Sequence, residues 1–221
     1  MKSAFTIDNP FFSTMGKIAD LVILNLLFLL TSLPVITVGA SLTAVHEVIH
    51  KMGEGTEGFV PRTYIRAVIR YFGKATSGWM VLLAAGALLF FDLTIGADFA
   101  GGKIQMITLF VAGGLLVLWV LIFPWFFLLQ DELEGTLSGK FVYALGTAVK
   151  RFPQSLLMSA ITLFPIVTYH FFIRFFLGIV LPFYVVIGFS LSAAACDLIA
   201  GKITITDRRN DKGGENERAG A

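Results

Sequence analysis

The sequence predicts an all-α membrane protein, a bundle of about five transmembrane helices with amphipathic interfacial helices on the cytoplasmic side. Three observations carry this reading. Of 221 residues, 56% are hydrophobic and 14% charged, against roughly 25% charged in a soluble domain. Five apolar runs are long enough to cross about 30 Å of hydrocarbon as helices. Lys and Arg are unevenly divided between the two sides of those runs, thirteen on one and four on the other. The positive-inside rule puts the rich side in the cytoplasm, with the N-terminus outside and the C-terminus inside.

The first span is read at residues 11–32. Pro34 disfavours helix in the residue before it, and the alternation in VITV, residues 35–38, suggests extended chain. Val38-Gly39-Ala40 resembles a signal-peptide cleavage site, but the segment ahead of the apolar core is long and carries Asp8 and Asp20, which argues against cleavage. A short amphipathic helix is expected at 41–52 and a second at 61–74, opened by Pro61. In the second, Arg62, Arg66 and Arg70 share one face, and Ile65, Val68, Ile69 and Phe72 another. The remaining spans are read at 75–95, 104–129, 155–172 and 176–199. A third interfacial helix, at 139–152, carries Lys150 and Arg151 at its end. All of residues 1–204 form one polytopic domain on this reading, and the polar tail 205–221 is expected to be disordered. Membrane lipid is the natural neighbour of the basic helices.

Residues 61–129 and 139–199 align weakly as a same-orientation repeat. Phe123-Pro124-Trp125-Phe126 pairs with Leu181-Pro182-Phe183-Tyr184. Repeats of this kind occur in transport proteins.

Polar residues inside apolar runs are functional candidates. Asp20 and Asn25 lie in the first span and Asp92 near the outer end of the second. Asp20 follows Lys17 by three residues, so the two can pair. Each also has a structural reading as an ion pair, an interhelical hydrogen bond or an interface anchor. Gly188, Ser192 and Cys196, four apart, make a small-residue face. With Cys196 the single cysteine, an internal disulfide is excluded. No nucleotide-binding P-loop, dinucleotide motif or nucleophile elbow is present and no cofactor is implied; the arginines of 61–74, adjoining a span, point to anionic lipid rather than nucleic acid.

HEVIH, residues 46–50, has the spacing with which zinc proteases hold their metal. Such a site needs a third protein ligand and an open position for water. Asp92 falls on the wrong side, which leaves Asp197 as the partner for His46 and His50. The favoured reading is non-catalytic: polar residues on an amphipathic helix.

Residues 8–44 resemble the opening of the YesL-like bacterial membrane proteins, which carry a domain of unknown function. The matching features are Asn9-Pro10-Phe11-Phe12, Gly16, Asp20, Leu24-Asn25, Ser32-Leu33-Pro34, Thr37, Gly39 and Ala40. The resemblance implies a multi-pass protein of the bacterial cytoplasmic membrane. It also implies an accessory or regulatory part in carbohydrate ABC transport, with a transporter permease or a sensor kinase as partner. An autonomous small-solute transporter or channel is the alternative, and a homo-oligomer is compatible with either. No catalytic residue is implied. HEVIH is not part of the family pattern.

Overall fold

The computed structural model describes residues 10–54, 56, 58–96, 102–130 and 136–201. The expected tail, 205–221, lies outside them. Helix α1 is Pro10–Ser32 and α2 is Val38–Glu54. Helix α3 is Val60–Phe91, carried on by a π-helical turn over Asp92–Gly96. Then come α4 (Gly102–Leu128), α5 (Leu137–Lys150), α6 (Phe152–Phe171) and α7 (Ile173–Gly201). No strand occurs among the described residues. Five helices are long and apolar enough to cross a membrane: Met15–Ser32, Val60–Ile95, Gln105–Leu128, Phe152–Phe171 and Ile173–Gly201.

The break after α1 falls where Pro34 puts it, with φ −76° and ψ 120° at that residue. The expected extended run does not follow. Val35–Thr37 is a 3-10 turn and Val38 already opens α2. Local hydrogen bonds outweigh the β-branched propensity of VITV. Thr37 N–H donates to the Pro34 carbonyl at 3.0 Å, and the Thr37 hydroxyl bonds the carbonyls of Pro34 and Thr31. The Trp79 indole N–H reaches the Val35 carbonyl at 2.7 Å and ties the turn to α3.

Two expected interfacial helices are corrected. Helix α2 starts three residues early and is largely buried, through Ala40, Ser41, Ala44, Val45, Val48, Ile49 and Met52. Segment 61–74 is not separate; it is the first half of α3. Gly73 and Lys74 do not stop a helix by themselves, and the next span continues it. The continuous apolar helix has 36 residues, so it is about 54 Å long, well beyond a hydrocarbon layer of about 30 Å. Neither of the two faces read from its sequence is the buried one. The buried face is Val60, Tyr64, Ala67, Tyr71 and Ala75. The Arg face and the Ile/Phe face stay outside, apart from Val68, which packs against the core, and Arg70, which reaches Glu47. Helix α5 is separate, as expected. It turns Lys140, Ala144 and Ala148 inward and leaves Leu145 and Val149 exposed, while Phe152, read at its end, opens α6 and is exposed too. The two halves of the proposed repeat therefore differ: α3 is one helix where α5 and α6 are two, parted at Arg151 and Pro153.

Helix α2 packs antiparallel to α3, α3 to α4, and α4 to α6. Gly39 lies against Ala75 and Trp79 while Glu47 meets Arg70, so numbers rise along α2 as they fall along α3. Trp119 Nε1 donates to the Leu82 carbonyl at 2.9 Å, joining α4 to α3. Trp125 Nε1 donates to Ser155 Oγ at 2.7 Å, and the Ser159 hydroxyl to the Val120 carbonyl at 3.1 Å, joining α6 to α4. Each tryptophan thus satisfies its one donor across a helix pair, as a buried indole should. The core divides into two apolar clusters. One, around Leu24, Phe28, Val48, Tyr64 and Tyr71, joins α1, α2 and α3 and takes in Ala193 of α7. The other, around Leu82, Trp125, Phe127, Met158 and Cys196, joins α3 through α7.

Candidate functional site

A cavity of about 220 Å³ opens between the two clusters, where α1, α2, α4, α6 and α7 meet. Phe28, Val45, Phe127 and Ile161 supply apolar wall, and Pro124 and Pro165 interrupt the helices beside it. Proline within a helix removes a backbone donor and bends the axis, which opens space at the contact. The polar atoms at the wall are few. The Thr162 hydroxyl is spent on the Met158 carbonyl at 2.9 Å, and Tyr184 and Ser192 share a hydroxyl contact of 3.4 Å. His46 also lines the cavity, and its Nδ1 is buried without a hydrogen-bond partner. Burial pushes this imidazole down to about 4, so it is neutral at physiological pH.

Along α2 from His46, the next residue carries the charge. Glu47 is buried, yet Lys51 Nζ donates to it at 2.5 Å and Arg70 of α3 bonds its other oxygen. Burial alone would raise this carboxyl. The hydrogen bonds and charges of Lys51 and Arg70 outweigh it and hold the group below its ordinary 4.5. The contribution to stability is therefore full above that ordinary value and is lost as pH falls through the lower folded one. Thermal stability in detergent should decline below about pH 4.5 in the wild type. Glu47→Gln should flatten that decline and cost about 1–2 kcal/mol at pH 7, less than a fully buried pair because both cations reach water. A Glu47→Gln variant with the wild-type acid profile would show that the pair does not lock α2 to α3.

The structure brings His50 and Asp197 together, as the zinc reading requires, with Nδ1 and Oδ2 3.8 Å apart. It does not complete a metal centre. Glu47, which would have to be the general base, is held by two cations. Among the described residues no group of three or more His, Cys, Asp or Glu is placed to hold a metal.

The other sequence candidates separate. Asp20 is half-buried on α1, and among the described residues no salt bridge joins it to Lys17. Lys before Asp is the weaker order for a helical pair. Asp92 opens the π turn at the end of α3. Arg62, Arg66 and Lys150 are exposed; Arg151 separates α5 from α6.

Asn25 has the most definite role. It is fully buried, and its Nδ2 donates to the carbonyls of Tyr184 at 3.0 Å and Val185 at 2.7 Å. Its Oδ1 accepts from the Ser190 amide at 3.0 Å. These are backbone groups in and just beyond a π-helical segment, Tyr184–Gly188, inside α7. A π segment shifts the hydrogen-bond ladder by one residue and strands groups at its ends. Asn25 adds a bond to each of these groups from the neighbouring helix. Pro182, whose missing N–H breaks the ladder just upstream, lies between this segment and a second one at Phe176–Val180.

The reading from sequence passed over two features. Thr31, Ser41 and Tyr64 form a hydroxyl cluster, with Thr31 Oγ1 2.6 Å from Tyr64 OH and 2.9 Å from Ser41 Oγ. Lys140 is buried and donates to Gln130 Oε1 at 2.9 Å. No spacing rule links such distant residues.

Fold and site together define a polytopic helical protein of the membrane class. Residues 21–93 match the model of a family described as Protein of unknown function, DUF624. The match takes in Asn25, Pro34, Gly39, HEVIH and the three arginines of α3, and is consistent with the resemblance carried by the N-terminal residues. No curated protein and no solved structure matches the chain.

Proposed function

We propose that this chain is a non-catalytic, multi-pass protein of the bacterial cytoplasmic membrane that serves carbohydrate ABC transport as an accessory or regulatory subunit, through contact with a permease or a sensor kinase. The observation that supports this most is the outward face of α3's first half. Phe59, Pro61, Arg62, Ile65, Arg66 and Ile69 line an open groove there, and Phe59 and Ile69 are more than 70% exposed. Arg62 and Arg66 form one row of this groove, and Pro61, Ile65 and Ile69 the row beside it. Exposed arginine next to large exposed apolar anchors is the composition a protein interface favours. The positive-inside rule assigns this end to the cytoplasm, and a helix of this length projects it beyond the hydrocarbon. The carbohydrate side of the reading rests on the family resemblance.

Co-purification from native membranes in mild detergent, read by mass spectrometry, tests it. A transporter permease or a sensor kinase should appear in fixed ratio and be lost from an Arg66→Glu, Ile69→Asp variant. Both residues are exposed, so that variant should keep its helix content and gel-filtration profile. Recovery of the protein alone, or solute flux by the reconstituted chain without a partner, would overturn the reading.

A further inference from the structure

An open groove of about 560 Å³ runs along the bundle where α3, α4 and α5 meet. Val81 and Leu88 of α3 and Leu115 and Leu118 of α4 line it and are exposed. Phe141, stacked on Phe126 with ring centroids 4.6 Å apart, brings in α5. Trp119 is fixed beside the groove by its bond to the Leu82 carbonyl. From Val81 to Leu89 the groove follows α3 for about 12 Å, close to half of a hydrocarbon layer of about 30 Å. It therefore has the depth of one leaflet.

Two lysines meet at one end. Lys74 is exposed and lies on the groove's face of α3, seven residues before Val81. The helices are close there: a Cβ on Gly78 would run into the Phe126 ring and come within 3.3 Å of Leu137 of α5. Three residues on in α5 is Lys140. It is a poor place for a cation. Lys140 is only 8% exposed, and its Nζ donates to a neutral amide oxygen, that of Gln130. It stands in the first turn of α5, at the end where the helix dipole disfavours positive charge. Burial, and after it the charge of Lys74, push its ammonium toward losing the proton. Among the described residues no carboxylate pairs with either lysine. A buried cation without a counter-charge is costly, and an anion held at Lys74 relieves it. The positive-inside rule assigns this end of α3 to the cytoplasm, where the leaflet carries anionic lipid.

We propose that the groove is a binding site for an anionic phospholipid of the cytoplasmic leaflet, its phosphate against the Lys74 ammonium with Lys140 as a second charge behind it, and one acyl chain along Val81, Leu115 and Leu118. The lysines select the headgroup, and the groove holds the chain. The site uses other residues than the partner surface at Arg62 and Arg66 and does not rest on that reading.

The test uses the full chain in detergent and a phosphatidylglycerol with a photoreactive diazirine in one acyl chain, with labelled residues mapped by mass spectrometry. Labels should concentrate on Leu115, Leu118 and Leu145. Dioleoylphosphatidylglycerol should displace the probe about fivefold better than dioleoylphosphatidylcholine, which has the same chains; fivefold is what one lysine near an anionic surface contributes. Lys74→Gln, at an exposed position, should fold normally and lose that preference, while Arg62→Gln, Arg66→Gln should keep it. Ala85→Trp, which fills the groove, should reduce labelling. Equal displacement by the two lipids would overturn the proposal: either the groove takes any lipid, or Asp131, Glu132 and Glu134, which lie outside the described residues, neutralise the lysines instead. A preference that survives Lys74→Gln, or labels spread evenly around the bundle, would overturn it as well. So would displacement by inorganic phosphate, which would make this a site for a free anion. Should Ala85→Trp not fold, the lipid pair on the wild type and on Lys74→Gln decides.

Discussion

Replacing Asn25 by Leu should lower the thermal midpoint in detergent by about 6–12 °C, the equivalent of about 3 kcal/mol in a chain of this size. Three hydrogen bonds to two carbonyls and one amide of α7 disappear. An average interhelical hydrogen bond in a membrane protein contributes only about 0.6 kcal/mol, because the separated helices find other partners. The larger value applies here for a structural reason. Tyr184, Val185 and Ser190 belong to a π segment and its exit, and their own helix cannot take those groups back without re-registering. Each buried group left bare costs about 1–3 kcal/mol. Asn25→Asp should be at least as damaging near neutral pH, since a carboxylate would face two carbonyl oxygens. Amide exchange provides an independent reading: Ser190 and its neighbours should lose protection in Asn25→Leu while α3 and α4 keep theirs. An Asn25→Leu variant within about 0.5 kcal/mol of wild type would mean that α7 closes its own ladder and that Asn25 is incidental.

That residue also marks how far the sequence could be read. Asn25 stood out as polar in an apolar run, and the interhelical hydrogen bond was among its readings. Its partners are backbone atoms of a helix more than 150 residues away, and no side-chain pattern announces a stranded carbonyl. The five spans were legible because crossing the hydrocarbon demands apolar length, which the sequence displays directly. Pro34 was legible because its effect is local. Residues 60–91 were misjudged because Arg62, Arg66, Arg70 and Lys74 look like the boundary of a span, whereas polarity alone does not end a helix. Their buried face was missed for a related reason. Tyr64, Ala67, Tyr71 and Ala75 score as less apolar than Ile65 and Ile69, yet small residues alternating with tyrosines let α2 approach closely, while the Ile side chains have no partner helix to meet. Of the HEVIH reading, the nearness of His50 to Asp197 was legible from topology. The opposite fates of His46 and Glu47 were not. One turns into a cavity, and the other is bound by a cation from α3 that sequence spacing does not link to it.

Two glycines of α2 should respond with opposite sign to the same substitution. Gly39 is where α2 and α3 touch most closely: a Cβ there would run into the Trp79 Cβ and the Ala75 carbonyl oxygen. Both obstacles are backbone or the root of a side chain, so neither can swing aside. Overpacking of this kind costs about 1–3 kcal/mol, against a gain of about 1 kcal/mol for replacing Gly by Ala in a helix. Gly39→Ala should therefore lose up to about 2 kcal/mol net, and Gly39→Val more, about 3 kcal/mol, as a β-branched side chain forces the helices apart. The separation also pulls Trp79 from the Val35 carbonyl and frees the turn that Pro34 begins. At Gly53, in the last turn of the same helix, a Cβ meets nothing within 4 Å. Gly53→Ala should be neutral or stabilising by up to about 0.5–1 kcal/mol, through the backbone freedom it removes from the unfolded chain. Midpoints of the three variants, measured side by side in one detergent, separate the effect of helix propensity from that of close approach. If Gly39→Ala follows Gly53→Ala upward, the contact between α2 and α3 is looser than the geometry requires. The antiparallel pair that carries both His46 and the Glu47–Arg70 bridge would then have to be held by its side chains alone.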